Sequence, residues 1–189
     1  MKDAYPFRGV WRWLLLPLWM IVWGVLRDVL GCAWAGDFGF LKGWMLLGAI
    51  QGFTVGVALT AGPRPAIAAT LAFALAMAET RVFETAAREI LGTAVSMDDS
   101  TSRLLLVGVH AALIVSAQLL HLRLRVRGAS GSLAALGIYV LVHVAETSLW
   151  AALDGVRAKY FLIAAGDAVL AWAMLAAAAR VSEKVGPRA

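Results

Sequence analysis

The chain has 189 residues, 61% of them hydrophobic and only 15% charged, with a net charge of +5. Soluble domains are roughly 45–50% apolar, so this composition excludes an ordinary soluble domain. The basic excess reads as membrane topology rather than nucleic-acid binding, because the basic residues gather between long apolar runs.

A helix needs about 20 mostly apolar residues to cross the hydrocarbon of a bilayer. Six segments meet that length: about 10–30, 41–61, 65–85, 102–122, 132–153 and 160–180. The expected fold is therefore all-α, a polytopic integral membrane protein forming one transmembrane helical domain over residues 1–189. With Cys32 as the single cysteine, an intrachain disulfide is excluded.

The basic stretch Met1–Arg12 leads into an apolar, tryptophan-rich run. Arg27 and Asp28 precede any small-residue cleavage site, so the first span is expected to stay uncleaved. Pro17 within it is tolerable where neighbouring helices re-satisfy the backbone. Tryptophans at the span ends fit interfacial belts, whereas Trp19 and Trp23, one turn apart inside the span, are expected to pack or to face lipid, with stacking on a ligand or pigment the alternative. The second span carries Gly48, Gly52 and Gly56, a face on which helix backbones can approach closely. Packing within the molecule is the expected use of that face, and assembly with other copies the alternative. Ala61-Gly62-Pro63-Arg64-Pro65 is a tight turn, which makes spans two and three an antiparallel hairpin.

Span three repeats Ala68, Ala72 and Ala76 at the same spacing. Glu79, Arg81, Glu84, Arg88 and Glu89 follow before any helix breaker. The helix is therefore expected to continue past the membrane, with Glu84 and Arg88 paired at i,i+4. Asp98-Asp99-Ser100-Thr101 offers N-cap chemistry for the fourth span. With the N-terminus inside, ten basic residues fall on the cytoplasmic side and seven on the other, which also takes eight of the twelve acids. This bias puts both termini in the cytoplasm and the protein in the cell inner membrane.

Against this background, His110, His143, Glu146, Asp167 and Glu79 stand out. A charged group at the bilayer centre costs roughly 2.5–3.5 kcal/mol on insertion scales and usually serves an ion, proton, metal or polar ligand. At about 1.5 Å per residue, His143 lies at the midplane. His110 lies about 3 Å, Glu146 and Asp167 about 4–5 Å, and Glu79 about 6 Å toward the outer face. Gln51 lies near the midplane of span two. These six residues form one polar layer opening outward. His143, Glu146 and Thr147 share a helix face at i, i+3 and i+4, with Tyr139 extending it.

Three functions compete for this layer. The first is transport or binding of a small solute or ion, coupled to protons through His143, Glu146 and Asp167, since midplane polar sites suit carriers. The second is a metal site in which His110, His143 and Glu146 hold a catalytic zinc with one open position, for intramembrane hydrolysis. The third is ligation of haem or a pigment by His110 and His143 in an electron-transfer complex. The expected partners are the lipid bilayer, a small solute or ion, and either further copies of the chain or another membrane subunit. No nucleic acid is expected.

The segment Phe83-Glu84-Thr85-Ala86-Ala87-Arg88, followed by His110 and His143, resembles in part the CAAX-type intramembrane proteases. Phe83 stands where that family has its first glutamate, Leu106 replaces a phenylalanine, and Thr147 stands where Asn or Asp follows the second histidine. These departures fall on the catalytic glutamate itself, so the resemblance carries no assignment. Six spans and an outward site are also similar in topology to the substrate-binding subunits of energy-coupling-factor vitamin importers.

Overall fold

The computed structural model describes residues 9–61, 64–94 and 159–185, and between them 108–109, 111–112, 114–120 and short stretches of 130–148. All regular structure among the described residues is helical. Four elements have defined bounds: α1 (Trp11–Ala35), α2 (Leu41–Thr60), α3 (Pro65–Leu91) and α4 (Lys159–Val185). The first three are long and apolar enough to cross a membrane. They match the first three expected spans; the fourth and fifth are described only in part, and the sixth falls in α4, of which Ala168–Ala178 is the apolar stretch.

Two of these three helices run further than a bilayer requires. α1 has 25 residues and α3 has 27, about 38 and 40 Å at 1.5 Å per residue, against a hydrocarbon core of about 30 Å. The expected continuation of the third span is thus present. It stops at Gly92, whose φ of 64° is a left-handed conformation that glycine adopts without a Cβ penalty. The ion pair on this extension differs from the expected one. Arg81 Nη1 lies 3.0 Å from Glu84 Oε2, at i,i+3, while Arg88 is exposed. Either neighbour is within reach of Glu84 on a helix, and Arg81 is the one that closes.

α1 and α2 form a hairpin across a five-residue link. Gly36, with φ 68°, ends α1, and Asp37 Oδ1 accepts the Gly39 N–H at 3.0 Å. The two helices then approach almost backbone to backbone. A Cβ at Gly48 would run into the Gly24 backbone, one at Gly52 into the Met20 carbonyl, and one at Gly56 into Pro17 Cα. The small-residue face of α2 is therefore used inside the molecule, to seat α1.

The core follows from these close approaches. Leu16, Met20 and Trp23 of α1 meet Ala58 and Leu59 of α2 and the Ala68, Ala72, Ala76 row of α3. Ile114 and Val115 join this core, as do Ala168, Ala171, Leu175 and Ala178, which repeat every three or four residues along α4. Trp19 ties α1 to α4, its indole N–H donating to the Met174 carbonyl at 2.8 Å. Trp19 and Trp23 thus both pack inward. On the opposite side of α1, Leu14, Leu18, Val22, Leu26 and Leu30 are exposed at strict i,i+4 spacing. A continuous apolar stripe of this kind is a face that lipid accepts and water penalises.

Candidate functional site

One polar cluster interrupts this core where α1, α2 and α3 converge. Its centre is Arg27, one turn after Trp23 on the inward side of α1. The Arg27 guanidinium sits over the Trp23 ring, 5.4 Å from its centroid, the separation at which a cation is attracted to an aromatic face. Its Nε lies 2.7 Å from Asp28 Oδ1, and its Nη2 donates to Gln51 Oε1 of α2. The planar fork of arginine serves a carboxylate and an amide at once, which a lysine ammonium does less well.

The third helix supplies a carboxylate. Glu79 of α3 is 5% exposed and lines the same cavity as Trp23, Arg27, Gln51, Thr54 and Ile114. The cavity measures about 10 Å³, close to the room that about one water needs. The indole N–H of Trp23 is buried with no hydrogen-bond partner among the described residues. A buried unpaired donor in the wall of a water-sized space is a binding group for an acceptor. Asp28 adds a feature of its own: its Oδ2 lies where a Cβ of Gly48 would be. The glycine that lets α1 and α2 touch also makes room for that carboxylate.

The charges decide what the cluster can do. Arg27, Asp28 and Glu79 carry one positive and two negative charges when all are ionised. Charges removed from water need pairing and hydrogen bonds, and Arg27 supplies one such partner to Asp28.

Of the six residues expected in the polar layer, the structure brings Gln51 and Glu79 together, on neighbouring helices. Asp167 lies in α4 immediately before the buried Ala168, and its side chain is outside what is described. His110, His143 and Glu146 lie outside the described residues, and with them the expected metal set. Among the described residues no group of three His, Cys, Asp or Glu side chains is placed to hold a metal ion.

Trp23 was conspicuous in the sequence as a buried or stacking aromatic, whereas Arg27, Asp28 and Thr54 were not expected in the polar layer. Sequence reasoning put Arg27 and Asp28 at the outer edge of the first span. The available signal was the absence of any proline or turn pair between Arg27 and Gly36, which lets the helix carry both charges inward of its end. The Trp23–Arg27 spacing of i,i+4, which stacks a cation on a ring, was a second. Compared with known proteins, the chain matches no family model, no curated protein and no solved structure.

Proposed function

We propose that the protein is a small polytopic protein of the cell membrane that binds or transports a small ion, the proton foremost. In this reading the chain crosses the inner membrane six times, both termini are cytoplasmic, and the polar cavity opens to the outer face. It acts alone, as an oligomer, or as a subunit of a larger complex. The observation that carries the reading is Glu79: a buried carboxylate sharing a water-sized space with a guanidinium, on helices long and apolar enough to span a bilayer. Ionisable groups at such a depth are expensive and usually functional.

His143, Glu146, His110 and Asp167 belong to the same proposed layer as further proton or ion ligands. The hydrolase and haem-ligating readings draw on His110 and His143, with Glu146 for the former, and no described contact favours them.

The test uses purified protein in lipid vesicles loaded with a pH-sensitive dye, with a potassium diffusion potential to drive protons inward. Wild-type vesicles are expected to acidify at least about ten-fold faster than protein-free ones. Glu79→Gln, which keeps shape and hydrogen bonding but cannot ionise, is expected to return the rate to the protein-free level. A wild-type rate equal to that of empty vesicles for protons, sodium and potassium alike would overturn the ion-transport reading.

A further inference from the structure

We infer that the polar site does not end at the wall of the Arg27–Glu79 cavity. Gln118 extends it by one helical turn toward the cytoplasmic end of its span, as a second water-binding position.

The helical residues 114–120 form one wall of the core. Ala111 and Ile114 line the cavity, and Gln118 follows them at i+7 and i+4. All three therefore lie on one helix face, with Gln118 about 6 Å along the axis from Ile114. Gln118 is completely buried, at 0% exposure. Both polar atoms of its amide, Nε2 and Oε1, lack a hydrogen-bond partner among the described residues. Its neighbours Val115 and Leu119 are buried as ordinary apolar core.

An amide is a poor choice for such a place if it stays dry. Each unpartnered buried polar group forfeits its hydration, and a leucine would fill the space without that loss. An amide that meets water loses nothing. It offers two donors and an acceptor, so it can hold one water on each side and keep a hydrogen-bonded file continuous. The ligand class is therefore water, and with it the protons that water carries. Trp23 supports this placement from the other side of the cavity, with its own buried N–H lacking a partner among the described residues. This inference rests on reading the cavity as a water-holding site, but its test does not depend on transport.

The experiment is cysteine labelling of the full chain in membranes. In a Cys32→Ala background, single cysteines are placed as Gln118→Cys, Val115→Cys and Leu119→Cys. Each is exposed to a small membrane-permeant methanethiosulfonate, which reacts with thiolates and so only with cysteines that water reaches. Gln118→Cys is expected to label at least about ten-fold faster than the other two. Equal and slow labelling at all three positions would overturn the inference, whatever the vesicle assay shows. Gln118→Leu supplies a second readout. In vesicles with Glu79-dependent proton flux, it is expected to cut that flux at least about ten-fold while keeping the wild-type gel-filtration profile. An unchanged flux would remove Gln118 from the proton path and leave the role of Glu79 standing. Absence of wild-type flux together with fast labelling at 118 would instead count against ion transport and uphold the hydrated position.

Discussion

Replacing Arg27 with alanine is expected to destabilise the protein by about 3 kcal/mol, the largest loss from any single side chain in the cluster. Two scales for the same buried charge agree on this figure. Breaking a buried ion pair by removing one partner costs roughly 3–5 kcal/mol. The side chains of Arg27 and Asp28 are still 15% and 12% exposed, which points to the lower end. A charge left unpaired inside a bilayer costs roughly 2.5–3.5 kcal/mol on insertion scales. The same change takes the donor from Gln51 and the cation from the Trp23 ring. Unfolding in mixed micelles, followed by tryptophan fluorescence, is the measurement. Arg27→Lys should fall between alanine and wild type, since an ammonium keeps the charge but not the fork. Adding Asp28→Ala to Arg27→Ala should recover part of the loss, because the carboxylate that had faced the guanidinium is then gone. A double variant no more stable than Arg27→Ala would mean that the pair contributes nothing measurable.

The second large effect is expected at Gly52. Gly52→Leu would drive its side chain into the Met20 carbonyl and the Ile21 Cα of α1. These are backbone atoms, which cannot step aside as a flexible side chain would. Ordinary overpacking costs about 1–3 kcal/mol, and here relief requires the two helices to part. Parting them would also open the space where Arg27 reaches Gln51. Gly52→Leu is therefore expected to lose both stability and the site, giving aggregated or heterogeneous protein on gel filtration. Gly166→Ala is the control. It lies within α4 with nothing inside 4 Å of an added Cβ, so the higher helix propensity of alanine should leave stability unchanged or raise it by up to about 1 kcal/mol. A Gly52→Leu protein as stable as Gly166→Ala would contradict the close packing of α1 on α2.

These two positions also mark how far the sequence could be read. The glycine row was visible in the chain because a four-residue spacing of small residues has few uses in a membrane. The alanines at 68, 72 and 76 were visible for the same reason, and both rows are packed inside the molecule. Gln51 and Glu79 were singled out by counting depth, since a polar residue deep in an apolar run is conspicuous at a fixed rise per residue, and the two line one cavity. Arg27 was not found this way. A basic residue near the end of a run is ordinarily a snorkelling or headgroup contact, and depth alone cannot separate that from a side chain turned inward. What turns Arg27 inward is tertiary: the Trp23 face beside it and Gln51 on a helix held close by glycines. Gln118 was passed over because an amide carries no charge and costs little in a hydropathy window. Its burial becomes informative only once its partners can be searched for.

In the proposed function Glu79 exchanges a proton inside the helix bundle. Infrared difference spectroscopy of the protein in lipid, recorded across a pH titration, tests it most directly. The carbonyl stretch of a protonated carboxylic acid is distinct from carboxylate bands and shifts on deuteration. The expected result is a carboxylic-acid band that appears as pH falls in wild type, is missing in Glu79→Gln, and changes its titration in Arg27→Lys. A wild-type spectrum with no Glu79-dependent band across the titration would mean that this carboxyl keeps one protonation state throughout, which contradicts the account.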